Sequence, residues 1–569
     1  MPPVSAHVFH AHPAIHLHRI AMGRCREPVF ERAGMMTGWL RVMAGALLSL
    51  GTTAWAQEPP ETPEGGFKGF AIMGENPLSA GETAALLAPL LRQQPSAQVL
   101  EQAAVRLERA LHDRGYVHYR VVLPVQAPSD TISLNVLRRT VSRVEFVGVG
   151  ASVDEAALRA ALPELQERAS PNAQRLAREL AIAQRNPSRQ MEVDWVPDAA
   201  TDTVTARVRV QESRPWSLGA SWSNAGTRET GRDRLHVGAS HHDVLGGGEL
   251  LSVAYTTSAD RPSRVSQIGV RAEVPFPAWG GVLQAQHFRS DVVGRFGVDR
   301  PDRGLAGFDS TGPGHETRLG YAYHVGHRSV GRQSYWQVAI DDKRFEASDL
   351  EGQPQATGVR RSRPLSLEYA ARSATGVTQW SYEIGFAANV ARGEGNDLTA
   401  YRTENAEIET THWKVWRAAL DATTEWGEGW QGLARLHAQY SPDLLLAGEA
   451  FGLGGIGSIR GVPDRALYGD SGWAATLEGR TPPLWQGLRL LAFIDTGAVY
   501  SDLTDSPVRR RKDRLTSVGL GVRYAHANGA SLRADYGRVV TGSRADAGAN
   551  PTAPTQGDDK LHVNVSLAF

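Results

Sequence analysis

From Pro215 to the terminal Phe569 apolar residues alternate with small or polar ones, and this period of two constrains the fold more than any other feature. Leu251, Val253 and Tyr255 stand against Ser252, Ala254 and Thr256, and Val518, Leu520, Val522 and Tyr524 repeat the pattern. The C-terminus is the clearest case, with Leu561, Val563, Val565, Leu567 and Phe569 interleaved with His562, Asn564, Ser566 and Ala568. Successive side chains of a strand point to opposite faces, so these are strands. A soluble sandwich would alternate in the same way, and the period alone does not place the sheet in a membrane.

Connection lengths narrow the choice. Sixteen strands are expected, starting near Trp216, Leu235, Leu250, Val265, Val282, Glu316, Ser334, Arg363, Thr378, His412, Gly432, Trp473, Leu488, Leu515, Ala530 and Leu561. Short connections such as 243–248, 275–280 and 527–529 alternate with long ones such as 291–315, 391–411 and 441–472. Short turns on one rim and long loops on the other, with an even strand number, are the pattern of an outer-membrane barrel. The 355 residues of 215–569 leave about 22 per strand and connection, which accommodates the roughly ten residues of a tilted membrane strand. Trp279, Trp426, Trp430 and Trp485 all fall at short turns and read as one interfacial girdle.

Ahead of the barrel, residues 67–140 read strand, helix, helix, strand, strand. A capping box at Ser79–Glu82 opens the first helix, Ser96 caps the second, and Gly115 stops it. Residues 141–212 repeat the order, with a second box expected at Ser152–Glu155 and a helix from Ser170–Pro171. The fold class is therefore mainly β, a sixteen-stranded transmembrane barrel preceded by two small α+β domains. The pair are either rigid spacers or peptide-binding surfaces that offer sheet edges to an extended chain.

The N-terminus carries an export signal. Arg41 precedes a short apolar run that closes on Ala54-Trp55-Ala56, giving a presequence and signal peptide over 1–56 and a short segment over 57–66. Met35 or Met36 would begin a signal of ordinary length, so the first 34 residues read as upstream matter. His7, His10, His12, His16 and His18 lie in it and are not expected to hold a metal.

Sixty-one Lys and Arg balance sixty-one Asp and Glu, with no charge block that suits nucleic acid. The one cysteine, Cys25, falls inside the presequence, which removes disulfides and a thiol nucleophile from the exported chain. Gly452-Leu453-Gly454-Gly455-Ile456-Gly457 matches G-x-G-x-x-G, but Ser458-Ile459-Arg460-Gly461 follows rather than a helix, so no nucleotide is expected. His241-His242-Asp243 is better explained by a turn than by hydrolysis. No catalytic residue, metal or cofactor is assigned.

The loop 441–472 is the informative segment. It carries Ile459, Arg460 and Gly461, ends Gly469-Asp470-Ser471-Gly472-Trp473, and is followed by a strand reading Phe493-Ile494-Asp495-Thr496-Gly497. With the first hairpin, where Asn224, Gly226, Thr230 and Gly231 fit N-x-G-x-x-x-T-G, and with Asn186-Pro187, these segments resemble the outer-membrane transporters of two-partner secretion, the TpsB or haemolysin secretion/activation family, which shares a superfamily with BamA.

The resemblance covers about 67–569. It implies that the two modules are periplasmic POTRA domains and that Arg460 pairs with Asp495 to hold the loop in the lumen. It implies a function too: recognition of an unfolded TpsA-type exoprotein and its passage to the cell surface. Outer-membrane lipid and the barrel-assembly machinery are the other implied partners, with Phe569 as an insertion signal. Val462 departs from the aromatic usual after R-G, and only about ten residues, 57–66, precede the first POTRA strand, so the helix that plugs many relatives is expected to be missing. An assembly or insertion factor of the same superfamily is the alternative. A membrane-embedded protease or lipase is a weaker rival, since it lacks a nucleophile motif.

Overall fold

The computed structural model describes residues 68–569 apart from 94–95, 127–129, 149–153, 199–200, 228–229, 292, 297–307, 312, 328–330, 347, 351–352, 357, 486, 504–509 and 546–552. The signal peptide, the histidine cluster, Cys25 and the segment 57–66 lie outside these residues.

The first module holds strand Gly69–Gly74, helices Ala80–Leu87 and Ala97–Asp113, and strands Tyr119–Val122 and Thr131–Arg138. The last strand is central, parallel to the first and antiparallel to Tyr119–Val122. Both helices begin where the sequence requires. Ser79 and Glu82 form a reciprocal capping box, and the Ser96 hydroxyl accepts from the Val99 amide. Val99, Ala103, Ala104, Leu107 and Leu111 then line one face and bury it against Val121, Ile132 and Leu134.

The second module repeats the topology with strands Val141–Val147, Arg189–Asp198 and Thr203–Glu212 and helices Glu155–Ala161 and Ala173–Ala183. Its helix starts differ from the expected ones. Ser152 lies outside the described residues, and the first is capped by Asp154, its carboxylate accepting from the Ala156 amide at 3.0 Å. Asn172, two residues beyond the expected start at Ser170, caps the second through the amides of Gln174 and Arg175.

Asn172 also joins the modules. Its Nδ2 donates to the Arg114 carbonyl at 2.8 Å, and the Ala173 amide donates to the Gly115 carbonyl at 2.8 Å. Gly115, at φ +91°, does two things there: it ends the helix, and it leaves room for Asn172, whose Oδ1 lies 2.5 Å from where a Cβ would stand.

Sixteen strands close into an antiparallel barrel, from Trp216–Ser223 to Asp559–Ala568. The eighth runs in two pieces, Arg360–Ser362 and Pro364–Thr375, broken at Arg363. Alternation places apolar side chains outside and polar ones inside, the reverse of a soluble domain. On strand Arg332–Phe345, Trp336, Val338 and Ile340 are exposed, whereas Gln337 and Asp341, on the opposite parity, are buried.

Trp279, Trp426, Trp430 and Trp485 are all exposed near the short turns. A second aromatic set, Phe386, Trp416 and Tyr440, lies toward the other ends of the strands with neighbouring rings 5.1 and 5.8 Å apart. Trp416 and Trp426 share strand Lys414–Trp426 ten residues apart, a height of about 25 Å for a tilted strand and so the height of an apolar band.

The second module meets the short-turn rim. Asn186 Nδ2 donates to the His242 carbonyl at 2.8 Å, Arg189 pairs with Asp243 at 2.6 Å, and Arg185 pairs with the buried Glu273 at 2.6 Å. His242 and Asp243, read from sequence as turn residues, hold the module.

Candidate functional site

The loop between the eleventh strand, Trp430–Tyr440, and the twelfth, Ser471–Arg480, folds into the barrel interior. It builds a small hairpin from Phe451–Leu453 and Leu467–Gly469. Gly454 and Gly455 turn the chain with φ of +123° and +83°, and Ser458 Oγ pins the turn by accepting from the Gly454 amide at 2.8 Å. Ile459 and Val462 are then buried with Leu453, Leu467, Val499, Leu515 and Val539. Valine in place of the aromatic that usually follows R-G is thus fully packed, at 1% exposure.

Arg460 stands between these two apolar anchors and is 4% exposed. Its Nε and backbone amide donate to Oδ2 of Asp495 at 2.8 and 3.0 Å, and Nη2 donates to Oδ1 at 2.9 Å. Nη1 donates to Glu478 Oε2 at 2.7 Å. The guanidinium lies over the Phe493 ring, 3.4 Å from its centroid. Asp495 comes from the thirteenth strand, Arg489–Tyr500, and is wholly buried. A fork that satisfies both oxygens of one carboxylate and one of a second is held far more tightly than a point charge.

Sequence reasoning missed the rest of this network. Arg480 Nε donates to Glu478 Oε1 at 2.6 Å, and Arg523 binds Asp535 through Nη1 and Nη2 at 2.7 and 2.9 Å. Asp535 in turn lies 3.8 Å from Arg460. Three guanidiniums and three carboxylates from the loop and four neighbouring strands therefore neutralise one another. Every strand member falls on the inward parity of its strand, which is the one sequence signal that points to it.

The backbone of the tip also has a shaped seat. The Gly461 amide donates to His562 Nε2 at 3.0 Å, and Gly461 itself has φ +94°. A Cβ on Gly537 would lie 2.7 Å from both the Arg460 carbonyl carbon and the Gly461 nitrogen. A Cβ on Gly519 would strike the Phe493 ring at 2.3 Å, and one on Gly497 would lie 2.8 Å from Leu453. These glycines form a groove into which the tip descends.

The loop is held at its root as well. Glu449, also unforeseen, is buried against Ser362 Oγ at 2.8 Å, Lys343 Nζ at 3.2 Å and Arg417 at 3.5 Å. At the loop's far end the Asp470 Oδ1 accepts from the Leu445 amide at 2.8 Å and its own amide donates to Ser501 Oγ. Gly469 and Gly472 pass close to Tyr500 and Phe451, and Trp473 faces outward. Asn224, Gly226, Thr230 and Gly231 are not brought to this site. They lie where the first strand meets the last, and Phe569 pairs with Leu218 at the other end of that seam.

Residues 204–524 match the family model of the haemolysin secretion/activation protein ShlB/FhaC/HecB, and residues 67–138 match the ShlB-type POTRA domain. The chain belongs to this family. It is a two-partner secretion transporter of the outer membrane, with its POTRA domains in the periplasm.

Two solved structures share the transporter's fold. CdiB from Escherichia coli is 17% identical with a TM-score of 0.70, over 90% of this chain and 93% of that one. CdiB from Acinetobacter baumannii is 16% identical with a TM-score of 0.65, over 89% and 90%. Among curated protein sequences none matches. The short-turn rim that carries the POTRA modules is therefore periplasmic, and the loop 441–470 enters the lumen from the cell surface.

Proposed function

We propose that the transporter captures an unfolded TpsA-type exoprotein on its POTRA pair, 67–140 and 141–212, and threads it through the lumen of the barrel, 215–569, without catalytic chemistry. The observation that carries this is the seating of loop 441–472 inside the lumen: Ile459, Arg460 and Gly461 fix its tip against Phe493, Asp495 and Gly497. A loop so placed occupies the axial path and sets its width. Outer-membrane lipid contacts the apolar band, and the barrel-assembly machinery reads the last strand with its terminal Phe569.

Capture would use a sheet edge. In the first module Glu108 already covers one edge, its Oε2 accepting from the Val121 amide at 2.9 Å. Among the described residues no strand pairs with the outer side of Gly69–Gly74, which is an edge for an added strand. The Lys68 amide donates inward to Asp130, so by alternation the Ala71 amide points outward. Ala71→Pro removes that donor without breaking the ladder. It is expected to lower exoprotein capture and secretion several-fold at normal barrel yield, and unchanged secretion would move recognition off this edge.

A further inference from the structure

The motif Asn224, Gly226, Thr230, Gly231 takes no part in the lumenal site, yet each member has a defined task at the seam where the barrel closes. Backbone pairing of the first strand with the last runs from Gly219–Ala568 to Ser223–Asn564, shorter than the pairing of the second strand with the third, which runs from Leu235–Thr257 to His242–Leu250. At the periplasmic end Leu218 and Phe569 exchange backbone bonds of 2.9 and 3.4 Å. At the outer end the Asn224 amide nitrogen of the backbone donates to the Val563 carbonyl at 3.2 Å, and there the first strand turns away.

The Asn224 side chain then continues the ladder alone. Its Oδ1 accepts from the Val563 amide at 2.8 Å, and its Nδ2 donates to the Leu561 carbonyl at 2.6 Å. A carboxamide presents a carbonyl acceptor beside an N–H donor as a peptide group does, so it can pair with the exposed edge of the last strand as another strand residue would.

The remaining motif residues hold the turn that aims it. The Gly226 amide donates to the Arg232 carbonyl at 3.2 Å, and a Cβ on Gly226 would lie 2.0 Å from the Gly231 carbonyl oxygen. Gly231 has φ +93° and passes so close to Ser258 that a Cβ would meet its Oγ at 2.1 Å. Thr230 Oγ1 accepts from Arg234 Nη2 at 2.8 Å and meets Thr227 Oγ1 at 3.0 Å. Asp233, which follows the motif, gathers the Ser258 hydroxyl at 2.6 Å and the amides of Ala259 and Asp260.

We propose that the Asn224 carboxamide is the clamp of the barrel's closing seam: it extends the first strand by a side chain, holds the outer half of the last strand, and keeps an exoprotein in the lumen from slipping between the two strands. The clamp rests on the reading that the lumen is the route, but its first test needs no exoprotein, so the two fail separately.

Hydrogen exchange of the full-length transporter in lipid is that test. Asn224→Ala removes both bonds and should speed amide exchange in 559–568 by about tenfold or more, leaving the distant strands 314–325 and 332–345 unchanged. Equal acceleration everywhere, or none at 559–568, would overturn the clamp. Asn224→Asp keeps the acceptor for Val563 and loses the donor to Leu561, so its effect should fall between.

Ser221 and Ser566 are Cα partners across the seam, and the exported chain is free of cysteine, so Ser221→Cys with Ser566→Cys staples it. The staple should restore slow exchange, and membrane insertion if that is lost, to Asn224→Ala while exoprotein secretion stays normal. Failure to restore either, or loss of secretion on stapling, would overturn the proposal.

Discussion

Arg460 and Asp495, 35 residues apart, meet through three hydrogen bonds of 2.8 to 3.0 Å, two from the guanidinium and one from the backbone amide. The backbone bond means that Asp495 holds the loop's main chain as well as its charge. Apolar packing of Ile459 and Val462 on either side and the glycine groove beneath fix the same point, so loop position is determined three times over.

The glycine groove can be tested apart from charge. Gly537→Ala leaves every ion pair in place but puts a Cβ at 2.7 Å from two backbone atoms of the tip, neither of which can swing aside as a side chain would. The loop should rise from its seat, and exoprotein secretion should fall to the level of Arg460→Ala with normal heat-modifiable barrel. Normal secretion from Gly537→Ala would show that the groove is not needed.

A pH effect is expected in the second POTRA module. Burial is the main cause that pushes the Glu179 carboxyl up, to about 7, partly opposed by the Glu164 amide that donates to it at 3.0 Å. With the folded value above the unfolded one, the folded module binds the extra proton. Its stability is then greatest below about pH 4.5 and falls as pH rises to 7, beyond which the loss is complete. After allowance for solvent screening the loss is about 1–2 kcal/mol. Glu179→Gln should flatten that slope in denaturant unfolding of the POTRA modules, and an unchanged slope would assign it to another group.

Much of this architecture was legible because its signals are local. Alternation and turn lengths mark strands and rims independently of what each strand touches, and Arg460 and Asp495 stand in motifs that can be read singly. Glu478, Asp535, Arg523 and Gly537 were not legible, since their proximity depends on inter-strand register and on how deep the loop descends. The caps at Asp154 and Asn172 were misplaced for a simpler reason: Ser152 and Ser170 lie within two residues of them and have the same chemistry. The outer aromatic set was missed because Trp416 and Phe386 sit within strands, where a girdle residue looks like any other apolar position.

The central claim is that the exoprotein leaves through a lumen whose loop is anchored by Arg460, and secretion by Arg460→Ala, Asp495→Ala and the double variant tests it most directly. Losing Arg460 leaves Glu478, Asp495 and Asp535 with Arg480 and Arg523 as their cationic partners among the described residues, whereas losing Asp495 leaves Arg460 its bond to Glu478. An uncompensated charge of this kind costs on the order of 3–5 kcal/mol where water is excluded and less where it enters. Arg460→Ala is therefore expected to reduce secretion by about tenfold or more and Asp495→Ala by less. The double variant should be no worse than Arg460→Ala, with membrane insertion near normal throughout. Wild-type secretion from Arg460→Ala, or fully additive losses in the double variant, would contradict the account.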